Sequence, residues 1–237
     1  MKFSNNKTSR VYRQINGLLV INKPMDWTSF DVVAKVRGKL NVKKVGHTGT
    51  LDPKATGVLV LCIGKATKLA QKLTGLDKEY LCEITLGANS NTDDIEGEIV
   101  PVENASEVPL TKVENVLNEF TGTFDQLPPN FSAKKIKGKR AYKLARQGKE
   151  VKLEPKPVTV HTMELLDYKW PKVKIKINCS KGFYVRSLAR DVGEKLEVGG
   201  YLSALQRTKV GHFSIESAID IEKADENTVL PMTAAKV

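Results

Sequence analysis

Apolar and polar positions recur with two periods along this chain, and the places where the period changes mark its elements. GLLVINKP, Gly17 to Pro24, is an apolar run stopped by a proline and predicts a strand. Val33, Val36 and Leu40 follow at helical spacing, behind Thr28 or Ser29 as the capping residue. VLVLCIG, Val58 to Gly64, is continuously apolar and has the length of a buried strand. Ala66, Leu69, Ala70 and Leu73 predict a short helix that stops near Gly75. From Tyr80 the period is two, with Tyr80, Cys82, Ile84 and Leu86 on one face and Leu81, Glu83 and Thr85 on the other. Asn89 to Glu103 is acidic and turn-rich (Asp93, Asp94, Glu96, Glu98) and reads as a surface excursion. Thr111-Lys-Val-Glu114 has the capping-box pattern and opens a helix carrying Val113, Val116, Leu117 and Phe120, which ends before Gly122.

Strand character resumes at Val158 to Val160. Val173, Ile175, Ile177 and Cys179 then alternate with Lys174, Lys176 and Asn178, a strand with a basic outer face. Gly182 turns into a helix whose Val185, Leu188, Ala189, Val192 and Leu196 face the core. Tyr201 to Val210 and Phe213 to Ile215 read as closing strands. No repeat at a fixed period is evident.

Length and charge narrow the picture. The 237 residues suffice for one large domain with a sizeable core. A net charge of +11 implies an anionic partner. Nucleic acid ranks ahead of a membrane surface, because no apolar run approaches transmembrane length. Residues 1–16 are polar and basic, a loosely held tail with no secretory pattern. Three cysteines, Cys62, Cys82 and Cys179, sit inside strand patterns without tight spacing, which suits buried thiols in a reducing cytoplasm. His47, His161 and His212 are scattered and assemble no metal motif.

Most of the excess charge sits in one place. Between Asn130 and Lys156 there are ten basic residues, among them Lys134, Lys135, Lys137, Lys139 and Arg140, against Glu150 and Glu154, a local charge of +8. Phe131 and Tyr142 are interleaved, and prolines at 128, 129, 155 and 157 fence the segment. A charge run is ordinarily a solvated face; with aromatics inside it, residues 128–157 are better explained as an insertion that grips phosphates and bases.

The remaining candidate chemistry lies in GHTGTLDPKATG, Gly46 to Gly57. Its glycines permit close backbone approach, and Pro53 keeps Asp52 out of the helical region, on a stiff loop at the mouth of the Val58 strand. Asp-Pro is also ordinary turn chemistry, and taken alone the turn is the simpler reading. Arg186 falls in the first turn of the Gly182 helix, where the dipole disfavours a cation. It either meets a specific anion or snorkels along the surface.

GHTGTLDPKATG resembles the signature loop of the TruB-type tRNA pseudouridine-55 synthases. NKPMDWTSFDVV (Asn22 to Val33) is similar to that family's first motif, KEYLCEITLG (Lys78 to Gly87) to its tyrosine-bearing strand, and SKGFYVRSLARDVGEKL (Ser180 to Leu196) to its arginine motif. In order and spacing these cover the chain from Gly17 to about Ser214. The resemblance implies an α+β pseudouridine synthase fold over residues 17–237, a mixed, mainly antiparallel sheet with flanking helices. It implies isomerisation of the T-loop uridine of tRNA, with Asp52, Tyr80 and Arg186 as catalytic residues. Arg186 is then the partner that keeps Asp52 ionised, by a planar two-pronged contact. Tyr80 stacks on the flipped uracil and helps remove its C5 proton, against the plain alternative of a core tyrosine. His47 belongs to the loop that enters the RNA, and Leu205 to the apolar wall of the base site; periodicity cannot tell the latter from core. Lys23 is structural or phosphate-contacting. The insertion, with Lys134, Lys135, Lys137, Lys139, Arg140 and Tyr142, corresponds to an RNA-gripping element. The reaction exchanges a C1′–N1 bond for a C1′–C5 bond with no redox change, so neither cofactor nor metal is required. Whether Asp52 attacks C1′ or C6, or abstracts the 2′ proton, stays open. The expected partner is the T-arm of tRNA, bound by a cytoplasmic monomer with no protein partner. A guide-RNA-dependent synthase and a non-catalytic tRNA-binding module are the alternatives. The family's C-terminal PUA domain is expected to be absent, since the chain stops at Val237.

Overall fold

The computed structural model describes residues 11–129, 135–136, 139–140 and 153–235. In chain order its elements are β1 (Gly17–Lys23), α1 (Ser29–Lys39), β2 (Val45–His47), β3 (Thr56–Ile63), α2 (Ala70–Thr74), β4 (Lys78–Leu86), β5 (Ala88–Ser90) and β6 (Ile99–Pro101). They continue with α3 (Leu110–Glu119), β7 (Gly122–Gln126), β8 (Lys135–Ile136), β9 (Lys139–Arg140), β10 (Lys156–Lys169), β11 (Lys172–Cys179), α4 (Val185–Lys195), β12 (Gly200–Val210), β13 (Phe213–Ser214) and β14 (Ile219–Asp220).

One sheet organises them, in the order β14-β1-β3-β12-β4-β11-β10-β7, with β2 added to β3 and β13 to β12. The β14–β1 and β12–β3 pairs are parallel and the others antiparallel. This is the mixed, mainly antiparallel sheet expected. The continuous apolar run of β3 has a physical reason: both its faces are covered. Leu59, Leu61 and Ile63 enter the main core with α1 and α4, while Val58, Val60 and Cys62 enter a smaller core on the opposite face. The strict alternation of β11 reflects one covered face; on the other, Lys172 and Lys176 meet Glu83 and Glu79 of β4 at 2.7 and 3.5 Å. All three cysteines are buried free thiols. Among the described residues no helix is long and apolar enough to cross a membrane.

Four expectations change. Residues 201–210 do not close the sheet: β12 runs through its middle, bonded along one edge to β3 and along the other to β4. The Thr111 capping box does not form; Pro109 occupies the cap position and Thr111 lies inside α3. The helix expected from Ala66 begins as a tighter 3-10 segment, Gly64–Leu69, before α2. Asn89 to Glu103 is not simply a surface excursion. Its β5–β6 hairpin docks on β12, with the Leu202 N–H donating to the Asp93 carbonyl at 3.0 Å, and Asp94 is buried. Behind Ser214 the chain returns along β1, where Leu18 and Leu230 exchange backbone hydrogen bonds of 2.9 and 2.8 Å.

Candidate active site

The floor of the site is a row of cross-strand partners. Lys23 of β1 pairs with Gly57 of β3, Gly57 with Arg207 of β12, and Arg207 with Tyr80 of β4. Gly57 is required here: its φ is +100°, and a Cβ would sit 2.2 Å from the Arg207 carbonyl oxygen. With no side chain at that position, β3 and β12 approach closely between two long cationic side chains.

Both cations are buried and donate to backbone carbonyls, some of them in the signature loop. Lys23, fully buried, donates to the carbonyls of Pro24 (2.9 Å), Trp27 (2.6 Å) and Pro53 (3.1 Å). Burial lowers its pKa to about 8, although the charges of Asp52 and Asp26 work in the other direction. Of the two roles offered for Lys23, this geometry favours the structural one, because the side chain is buried and its ammonium bonds three backbone carbonyls. Arg207, also buried, donates to the carbonyls of Val58 (2.8 Å), Gly49 (3.1 Å) and Thr50 (3.5 Å). From α1, the Ser29 hydroxyl accepts from the Leu51 N–H at 2.9 Å and donates to the Leu51 carbonyl at 3.1 Å. Thr28, not Ser29, caps that helix, in a capping box with Asp31.

On this support Asp52 opens a turn closed by the Ala55 N–H on its carbonyl at 3.1 Å. Its carboxylate Oδ2 lies 3.1 Å from Nε of Arg186, in the first turn of α4. The contact is not the two-pronged clasp expected on one carboxylate. The guanidinium forks instead between two: its Nη1 lies 3.5 Å from Oδ2 of Asp94. A cation at a helix N-terminus is unfavourable alone, and here two anions face it.

Asp94 was missed by sequence reasoning. Its Oδ1 accepts from the Thr92 hydroxyl (2.6 Å) and the Glu96 N–H (3.0 Å), an Asx-type turn that aims Oδ2 at Arg186. The neighbouring Asp93 pairs with Arg190 at 3.0 Å, and Arg190 also donates to the Leu127 carbonyl at 3.1 Å. The available signal was two arginines four apart on one helical face, matched by adjacent aspartates in one acidic stretch.

Asp52, Asp94 and Arg186 line a shallow cleft together with Leu202 and Leu205 of β12 and with Ile95 and Glu96. Partial burial and the charges of Asp94 and Asp52 raise the pKa of Glu96. Leu205 is therefore beside the acid. Tyr80 is buried beneath the cleft rather than lining it, close enough to feel the charges of Arg207 and Asp52. His47 stands apart, at the end of β2, where its ring packs edge-on against exposed Phe30 at 5.7 Å. Its Nδ1 accepts from the Gly49 N–H at 3.3 Å. Lys134, Lys137 and Tyr142 lie outside the described residues; of Lys135, Lys139 and Arg140 only the backbone, a two-stranded pairing, is described. Among the described residues no cluster of His, Cys, Asp and Glu is arranged to hold a metal ion.

Comparison with known proteins shows the family. The model of the TruB family pseudouridylate synthase N-terminal domain matches residues 37–185, and that of the tRNA pseudouridylate synthase B C-terminal domain matches residues 186–232. The boundary between the two falls inside α4, yet strands from both sides share one sheet. The chain is 48% identical to tRNA pseudouridine synthase B of Alkaliphilus oremlandii, over 92% of this chain and 74% of that protein. It is 45% identical to tRNA pseudouridine synthase B of Parabacteroides distasonis, over 88% and 92%. Among solved structures it is similar to the crystal structure of a Cbf5-Nop10-Gar1 complex, with 28% identity and a TM-score of 0.71. That match covers 92% of this chain but only 60% of the other. With an aspartate-bearing loop, an arginine helix and a ten-stranded sheet arranged as described, and two family models spanning residues 37–232, the chain belongs to the TruB family of pseudouridylate synthases.

Proposed function

We infer that the protein converts uridine to pseudouridine at position 55 in the T-loop of tRNA, with Asp52 as the reacting carboxylate. One observation carries the choice of Asp52. Two carboxylates face Arg186, but the Asp52 side chain is 38% exposed, toward the cleft, and that of Asp94 only 10%. Asp94, besides, has its oxygens engaged by Thr92, Glu96 and Arg186, whereas the Asp52 carboxylate has Arg186 as its partner.

The assigned roles follow from position. Arg186 orients Asp52 and sets a fixed positive charge beside it, so that the carboxylate is placed without reorganisation. Leu205 supplies an apolar wall for the uracil. Tyr80, below it, takes part in removing the C5 proton after the glycosidic bond has been remade at C5. His47, braced by Phe30 on a pinned loop, is placed to fill the gap left by an extruded nucleotide, which offsets part of an unstacking penalty of a few kcal/mol. The basic insertion contributes phosphate attraction. The identities of 45–48% to enzymes named for tRNA, against 28% to Cbf5, support the stand-alone reading over a guide-dependent one.

The test is tritium release from T-arm RNA labelled at C5 of its uridines, using an unmodified tRNA transcript and no guide RNA. Release of one tritium per tRNA, confined to position 55, is the expected result. Release only in the presence of an added guide, or none while tRNA still binds, would transfer the protein to one of the alternatives.

A further inference from the structure

Arg207 has a second neighbour besides the loop. β12 and β4 are antiparallel, and their register sets Arg207 directly opposite Tyr80. Cross-strand partners of this kind point to the same face, with Cβ atoms about 5 Å apart. On the other side Arg207 meets Gly57, whose lack of a side chain lets the two backbones approach closely. The acceptors found for Arg207 in the loop are backbone carbonyls, of Val58, Gly49 and Thr50, which solvate its charge without cancelling it. A buried positive charge of this kind acts strongly on whatever ionisable group lies beside it. Tyr80 is one such group, with Lys23 and Lys78. Burial raises the pKa of its phenol, and the charge of Arg207 works against that rise.

We propose that Arg207 is a positioning residue for Tyr80: it fixes the phenol beneath the signature loop and places a positive charge beside it. The inference rests on the reading of Tyr80 as the group that takes the C5 proton. In that step the phenolate oxygen accepts the proton from C5. The C5–H electron pair becomes the C5=C6 double bond, and the C6=N1 pair withdraws to N1, which takes a proton from water. Tyr80 returns its proton to water, so product and substrate remain isomers. Without a neighbouring cation, a phenol this deeply buried stays protonated and cannot accept the proton. The same guanidinium also bonds the loop that carries Asp52, so the acid and the base of the reaction are registered through one side chain.

The experiment compares single-turnover rates on T-arm RNA carrying protium or deuterium at C5 of the target uridine, for the wild type, Tyr80→Phe, Arg207→Gln and Arg207→Lys. Glutamine keeps a donor for the loop carbonyls but removes the charge; lysine keeps the charge. Arg207→Gln is expected to slow turnover on the order of 10²-fold, with a deuterium effect larger than the wild type's and similar to that of Tyr80→Phe, and with unchanged tRNA affinity. Arg207→Lys is expected to keep the wild-type isotope effect. A slow Arg207→Gln with the wild-type isotope effect, or a fast one, reduces Arg207 to loop support and overturns the proposal. Should that variant fail to fold, an isotope effect in Arg207→Lys as large as in Tyr80→Phe overturns it equally. If Tyr80→Phe itself leaves the isotope effect unchanged, the underlying reading of Tyr80 falls, and this inference with it.

Discussion

The two carboxylates that meet at Arg186 are held by different physics. Asp52 sits on a loop fixed through its backbone, with carbonyls bonded from below by buried Lys23 and Arg207 and both polar groups of Leu51 bonded by Ser29. Its side chain is left to face the cleft. Asp94 sits on a hairpin that docks on β12 through backbone bonds but is held through its carboxylate as well: its own Asx turn and the Arg186 contact, beside the Asp93–Arg190 pair. Backbone anchoring leaves a carboxylate available for chemistry, whereas side-chain anchoring uses it up. The loop therefore presents the reacting group and the hairpin tunes the cation that controls it.

The comparison breaks most sharply at Asp52. Asp52→Asn is expected to lower single-turnover rate by about 10⁴-fold or more with tRNA affinity preserved in a filter-binding assay; a residual rate within tenfold of wild type would give the chemistry to another residue. Next comes Arg186→Lys, since an ammonium cannot reach Asp52 and Asp94 from two separate donors. A loss of about 10²- to 10³-fold in kcat is expected, and a wild-type rate would show that the fork is dispensable. Asp94→Asn keeps the turn but removes one of the two charges on Arg186; at least about a tenfold fall in kcat is expected, with little change in KM. A pure KM effect would instead place Asp94 in substrate binding.

The smaller effect concerns stability and pH. In the folded protein Lys23 titrates at about 8, below the 10.5 of an exposed lysine. Between those values the unfolded chain binds more protons, so the contribution of Lys23 makes stability rise with pH across that window. Lys23→Met is expected to flatten the rise by up to about 1.4 kcal/mol per pH unit. It also strips three carbonyls of a donor, for a loss of about 1–3 kcal/mol for each one left unsatisfied. Urea unfolding at pH 7, 8, 9 and 10 reads both; an unaltered pH slope would mean that Lys23 does not titrate in this window.

The difference between loop and hairpin is also the difference in what could be read in advance. Gly57, Asp52 and Pro53 announce a constrained loop by residue type, and the apolar run behind them announces a strand covered on both sides. The hairpin carries no such mark. Asp94 is one acid among several, and its burial depends on Arg186, 92 positions away along the chain. Arg207 was passed over because a cation inside a strand pattern reads as an outward-facing residue. It points inward here, where the carbonyls of Val58, Gly49 and Thr50 take its donors.

By itself the sequence determined the local elements, the basic character of the molecule, and the identity of Asp52, Tyr80 and Arg186 as candidates, because periodicity and turn chemistry act over a few residues. Only the tertiary structure decided that β12 is central, that Arg186 divides itself between two acids, and that Lys23 and Arg207 lie under the loop. Those outcomes depend on strand order and register, which bring together residues far apart in the chain and are set by how the whole sheet buries its apolar faces.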